Sequence, residues 1–475
     1  MNASLETALF GKHPTPRFTR RGLMLDISRN RVPRLAWLRE LIDALATLRY
    51  NELQLYTEHT FAYREHASVW HEASQLTAAE IRSLDAYCAA RGIELVPNQN
   101  SFGHMERWLQ HERYRQLAEC PEGFIHPVSG EAKPPSTLHP CAESLEFMDA
   151  LYAELLPNFA SAHLHVGGDE PWELGKGRSR AAAEQIGLAR VYLNYMQGLF
   201  TRAERHGKRA QFWADIILQH PELVAEIPPQ VTPVIWGYEA DSPFAEHCRA
   251  VAAAGFRNQF YVAPGAGNWN SFSGRLSVAR ANIQLAATHG AAHGAQGLLL
   301  TAWGDNGHHQ PWVSLFPALL LAAAAAWGTE LSDGALAQGI DRIFYPEQPE
   351  GNGQAILALG QIDAQLPQPA PPNSFLHSAY FASPQKLDAL RELTSAQNLQ
   401  LVADHLAALR RETDALDPEI SLAIDFNQAA LLRCLKTPLD ARAQADLLNR
   451  FAELWLRRSR PGGLAASLAA LKVQD

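Results

Sequence analysis

Eight short apolar runs, each closing on polar or glycine residues and most followed by a helical pattern, fill the first two thirds of the chain. They are "GLMLDIS" (22–28), "ELQLYTE" (52–58), "IELVPNQ" (93–99), "AHLHVGGDE" (162–170), "QFWADII" (211–217), "TPVIWGY" (232–238), "QFYVAPG" (259–265) and "GLLLTAWGD" (297–305). A typical spacer, "LTAAEIRSLDAYCAARG", sets Ile81, Leu84 and Cys88 at helical spacing, with threonine at its start and glycine at its end. Strand and helix alternate, which predicts an α/β chain folded as a (β/α)8 TIM barrel. An open doubly wound sheet usually has fewer strands and often a glycine-rich phosphate turn, and neither GxGxxG nor GxxxxGK[ST] occurs. After Gly334 the pattern becomes helical, interrupted by "LPQPAPPN" (366–373), a rigid connection. The expected division is a catalytic barrel over 1–335 and a C-terminal α-helical domain over 336–475. That domain can buttress the barrel, cover the site or make a homo-oligomer.

Composition narrows the function classes. With 475 residues, 47% of them hydrophobic, the chain can bury a large core. A net charge of -9, a pI near 6.1 and the absence of a lysine and arginine run argue against nucleic acid or an anionic membrane surface as partner. The first residues, "MNASLETALFGKHPTPRFTRR", lack the apolar core of a secretion signal, and no uncharged stretch reaches the roughly 18 residues that span a bilayer. A cytoplasmic location is expected. The five cysteines are scattered without metal-ligand spacing, as reduced and mostly packed thiols would be.

The strand ends carry Asp26, Glu58, Asn100, Asp169, Glu170, Asp215, Tyr238 and Asp305, with Trp213, Trp236 and Trp303 nearby. Barrel enzymes build their sites at these ends. One such aspartate can simply cap a helix, but polar groups for hydroxyls together with indoles for sugar rings point to a carbohydrate pocket. Within "HLHVGGDEPW" (163–172) two carboxylates are adjacent, behind two glycines that permit a break in the strand and close approach of a ligand. Consecutive residues do not suit the usual flanking glycosidase pair. They suit a scheme in which one carboxyl is the acid and the other steers a nucleophile carried by the substrate, as a 2-acetamido sugar carries one.

The motif HxGGDE, present as His165, Gly167, Gly168, Asp169 and Glu170, resembles glycoside hydrolase family 20, the exo-β-N-acetylhexosaminidases, and within it the hexosaminidase D-like branch. The likeness extends through "RGLMLDISR" (21–29), "NSFGHME" (100–106), "WGYEADSPF" (236–244), "PGAGNWNSFSGR" (264–275), "TAWGD" (301–305) and "LWLRRSRPGGL" (454–464). The first strand begins too early for the family's usual N-terminal accessory domain, as in that branch. The resemblance implies Glu170 as general acid and then base, and Asp169 as the group that orients the acetamido function during retaining, oxazolinium-type hydrolysis. It also implies His104 beside Glu170, with Glu58 behind it and His165 supporting the pair. Arg21 would grip ring hydroxyls, Trp303, Asp305 and Trp213 would wall the sugar, and Tyr238 or Trp269 would stand at the acetamido oxygen. The implied partners are glycans or glycosides with terminal β-linked GlcNAc or GalNAc, with no metal or organic cofactor. Two other readings stay open: a non-catalytic sugar-binding barrel, and a metal-dependent barrel hydrolase built on the "HLH" pair.

Overall fold

The computed structural model describes residues 3–12, 15–413 and 415–472. Each of the eight apolar runs overlaps a strand, two of which, β1 and β5, begin two residues before the run: β1 Arg20–Asp26, β2 Glu52–Tyr56, β3 Glu94–Val96, β4 His163–His165, β5 Arg209–Trp213, β6 Thr232–Gly237, β7 Tyr261–Pro264 and β8 Gly297–Ala302. All pair in parallel in the order β3-β2-β1-β8-β7-β6-β5-β4. Closure comes just past the end of β3. There Asn98 bridges His165, the His165 N–H donates to Pro97 O at 2.9 Å, and the Gln99 N–H donates to His165 O at 2.9 Å. The result is the (β/α)8 barrel, with a helical region following it.

Intervening helices form where the sequence supplies both a cap and an apolar face. Ala78–Ala89 starts in a capping box, in which the Glu80 N–H donates to Thr77 Oγ1 while the Thr77 N–H donates to the Glu80 carboxylate. Its Ile81, Leu84 and Cys88 are buried.

Inside the barrel the side chains lie in layers. Toward the N-terminal end the layer is polar: Arg20 bridges Glu52 at 2.8 Å and Glu94 at 2.7 Å, and Gln54 donates to Gln211 at 2.8 Å. Another cluster of buried residues is aromatic and apolar, and includes Met24, Tyr56, Trp213, Tyr261, Trp269, Leu299 and Trp303. It carries the site.

The helical region packs directly on the barrel. Phe316, opening the helix after β8, stacks on Phe344 at 3.9 Å between ring centres. The Arg31 guanidinium lies 4.8 Å from the Trp312 ring centre and 4.6 Å from that of Trp455, and it donates to Ser459 Oγ at 2.9 Å. The proline-rich stretch lies along the barrel mouth: Gln368 donates to Glu239 at 3.3 Å and the Ser374 N–H to Asn270 O at 3.0 Å.

Candidate active site

Beyond β4 the backbone turns through left-handed conformations at Gly167 (φ 73°), Gly168 (φ 102°) and Glu170 (φ 47°). A Cβ on Gly167 would come within 1.8 Å of Asn100 Oδ1, so this turn requires glycine. His165, fully buried, accepts from the Gly167 N–H through Nδ1 at 3.1 Å and packs on Trp213. Burial lowers its imidazole to about 3, so it supports the turn as a neutral ring. The turn brings Asp169 and Glu170 to one imidazole: His104 Nε2 is 3.2 Å from Asp169 Oδ2 and 3.6 Å from Glu170 Oε2.

Electrostatics separate the two carboxyls. Burial works to raise the Asp169 carboxyl, but the adjacent His104 and Arg29 outweigh it and hold Asp169 below the ordinary range. Glu170 goes the other way, lifted by burial and by the neighbouring Asp169 charge. Burial opposes charge on His104 too, yet Asp169 raises its imidazole to about 9. Asp169 Oδ1 is buried with no hydrogen-bond partner among the described residues.

Arg29, after β1, brings a guanidinium to the pocket beside His104. Its guanidinium reaches Asp26 at 3.1 Å, Glu58 at 3.3 Å and Asp305 at 3.9 Å, and lies 4.9 Å from the Tyr56 ring centre and 5.2 Å from that of Trp303. Asp26 fixes this corner, since its Oδ1 accepts the Ser28 and Arg29 N–H groups and its Oδ2 accepts the Gly304 N–H.

Arg21 has to be corrected. It lies near the start of β1, donating to Arg49 O, Phe18 O and Thr19 O, and five residues of strand, about 16 Å, separate it from the catalytic end. Glu58 is second to the site, but as the partner of Arg29 and of the Tyr56 hydroxyl (3.0 Å); the group next to His104 Nδ1 is Arg29 Nη2, at 3.4 Å.

The aromatic wall is formed by Trp236, Tyr238, Trp269 and Trp303 around a cavity of about 540 Å³ that also exposes Asp169, Glu170, Asp215 and Asp305. Tyr238 stacks on Trp236 at 4.9 Å and meets Trp269 edge-on at 5.2 Å. Trp213 does not face the cavity. It packs behind Trp303, 6.1 Å between ring centres, as part of the aromatic layer beneath the site. Among the described residues no group of three or more His, Cys, Asp or Glu side chains is placed to hold a metal ion, and no helix is long and apolar enough to cross a membrane.

Residues 18–258, more than half of the chain, match the description "Glycosyl hydrolase family 20, catalytic domain". The chain belongs to glycosyl hydrolase family 20. Over 320 residues it is 26% identical to hexosaminidase D of Homo sapiens, a match covering 62% of each chain. Over 311 residues it is 25% identical to hexosaminidase D of Bos taurus, covering 60% of this chain and 84% of that one. The fold is similar to that of a chitobiase from Flavobacterium johnsoniae, with a TM-score of 0.57 at 16% identity, covering 92% of this chain and 75% of that chain.

Several groups at this family 20 site escaped sequence reasoning. Arg29 was legible in "DISR", where Asp26 three residues earlier pins it as the strand ends. Asp215 and Trp236 stood at strand ends without an assigned role, and burial, then Asp169, lift the Asp215 carboxyl to about 7. Pro371 and Pro372 also line the cavity, and no local signal in the sequence places a segment so far from the strands at the barrel mouth.

Proposed function

We propose that this family 20 protein is an exo-β-N-acetylhexosaminidase that removes terminal β-linked GlcNAc or GalNAc by substrate-assisted retention. Protonated Glu170 gives its proton to the glycosidic oxygen while the acetamido carbonyl oxygen attacks the anomeric carbon and the bond to the leaving group breaks. Asp169 accepts the amide N–H and compensates the positive charge of the oxazolinium ring. Glu170, now a carboxylate, takes a proton from water, which opens that ring at the anomeric carbon. Two inversions leave the configuration unchanged. Arg29 and Asp305 bind outer hydroxyls, and Trp303, Trp236, Trp269 and Tyr238 enclose the sugar.

One observation carries this reading. Two consecutive carboxyls share the His104 imidazole but are displaced in opposite directions, which suits an anion and an acid in one site. The partnerless Asp169 Oδ1 suits an amide N–H. The same intact pair disfavours a sugar-binding barrel without chemistry. The five cysteines are free, which suits action in the reducing cytoplasm. Aryl β-glycosides of GlcNAc, GalNAc and glucose, assayed side by side, test the proposal. Aglycone should be released from one or both N-acetylhexosaminides while the β-glucoside stays nearly inert; binding of N-acetylhexosamines without release would establish the non-catalytic alternative.

A further inference from the structure

The last part of the chain returns to the mouth of the barrel. The stretch "RSRPGG" (458–463) runs antiparallel to the segment that follows Arg29: Pro33 bridges Ser459, the Arg34 N–H donates to Arg458 O at 2.9 Å, and the Arg460 N–H donates to Val32 O at 2.8 Å. Arg31 joins three segments there. Its guanidinium donates to Ser459 Oγ and to Gln310 O, both at 2.9 Å, and the Gln310 amide in turn donates to Trp303 O at 2.7 Å. The stretch is also anchored away from the site, Arg460 donating to Glu80 at 2.6 Å and the Gly462 N–H to Ser74 Oγ at 2.7 Å.

The helix that follows, Leu464–Leu471, meets the two loops that carry Arg29 and Asp305. Gly463, at its start, is left-handed (φ 76°) and so close to the first loop that a Cβ would come within 1.9 Å of Asn30 O. One turn on, the fully buried Ser467 donates through Oγ to Gly307 O at 2.6 Å, and His309 Nε2 donates to Ser467 O at 3.2 Å. Each loop is left-handed at the residue just after the functional one: Asn30 after Arg29 (φ 66°) and Asn306 after Asp305 (φ 58°). Non-glycine residues keep such conformations where their surroundings over-determine them. The asparagine side chains have tethers of their own, Asn30 Oδ1 accepting from Arg107 at 2.9 Å and Asn306 donating to Asn270 Oδ1 at 3.0 Å. The backbone carbonyls of Asn30 and Gly307 meet the C-terminal helix instead. Arg29 and Asp305 stand 3.9 Å apart, and hydrogen bonds to a hydroxyl tolerate little error in that spacing.

We propose that residues 459–467 brace the end of the pocket that holds Arg29 and Asp305, with Ser467 as the positioning residue that sets Asp305 through the Gly307 carbonyl. The inference rests on the hydrolase reading above, and it gives the C-terminal region a part in the reaction without contact to any reacting atom.

Ser467→Ala, Asp305→Asn and the double variant, assayed on aryl β-glycosides of GlcNAc and GalNAc, form a cycle that tests the brace. Ser467→Ala should lower kcat/KM about ten-fold, mainly through KM, because the grip on the sugar loosens while Glu170 and His104 keep their places. In the Asp305→Asn background the same substitution should cost less than about two-fold, since the contact it orients is already lost. Ser467→Cys, close in size to serine, carries the same test should the alanine variant unfold at the assay temperature. Losses that are equal in the two backgrounds, or a Ser467→Ala enzyme with wild-type kcat/KM, would overturn the brace while leaving the hydrolase reading standing. A wild-type protein inert toward both glycosides would overturn the hydrolase reading, and the brace with it.

Discussion

At the scale of single residues the chemistry turns on the His104 imidazole and the two carboxyls it faces. Asp169 sits below the usual carboxylate range and Glu170 above it, so a pH interval exists in which the first is ionised and the second still protonated. The pH profile of kcat/KM should be bell-shaped, its acid limb following Asp169 and its alkaline limb Glu170. His104 carries positive charge up to about 9, and that charge lowers both carboxyls. His104→Ala should therefore move both limbs to higher pH and reduce the maximum; limbs that stay in place would show that His104 does not tune the pair. Glu170→Gln should cost about 10² to 10⁴ in kcat for glycosides with poor leaving groups. Arg29→Ala should lower kcat/KM by about 2–3 kcal/mol, as loss of charged hydrogen bonds to hydroxyls does, whereas Arg21→Ala should leave kinetics unchanged. That pair of variants separates two arginines which the sequence alone confused. The structure gathers Asp169, Glu170, His104, Trp303 and Asp305 around one cavity, and the sequence put them forward because their motifs follow strands. Arg21 was misassigned because it belongs to the same motif as Arg29 but at the wrong end of the strand.

At the scale of elements, the eight strands were readable because each is an apolar run bounded by polar or glycine residues. Their ends were not. The run at 162–170 holds a strand only over His163–His165, because the left-handed turn at Gly167 and Gly168 ends the regular ladder and creates the site. Gly167→Ala places a methyl group against the Asn100 amide and strains the turn, at a cost of about 1–3 kcal/mol. A lower melting temperature and a lower kcat should appear together; a variant with wild-type kcat would show that the turn does not set the carboxyl geometry. The proline-rich segment reads as a rigid connection, and a second consequence of that rigidity, a wall of prolines at the cavity, depends on tertiary contacts of Gln368 and Ser374 that no local pattern encodes.

At the scale of the molecule, barrel and helical region share buried residues, which argues against a barrel that folds alone. We expect a chain ended at residue 335 to be insoluble, since it would uncover Trp312 and Phe316 and deprive Arg31 of Ser459 and Trp455. A soluble, cooperatively unfolding fragment would refute this. The buried histidines of the same contact zone include His309 and His377, 6.4 Å apart between ring centres and lowered by burial to about 4 and about 3. Their folded values lie below the unfolded value near 6.5, so the unfolded chain binds more protons as the pH falls under that point. Stability is complete above about pH 6.5 and declines below it, by up to about 1.4 kcal/mol per histidine per pH unit. Urea unfolding at pH 7.5 and pH 5 should show the loss, and His377→Phe should reduce its pH dependence; equal midpoints at the two pH values would contradict it.

The central claim is that the sugar's own amide is the nucleophile. Aryl β-glycosides carrying N-acetyl, N-fluoroacetyl, N-difluoroacetyl and N-trifluoroacetyl groups make that oxygen progressively less nucleophilic with little change in size. Initial rates should fall steeply along the series, by orders of magnitude from first to last. A rate that does not depend on fluorination would mean that the amide takes no part in the attack.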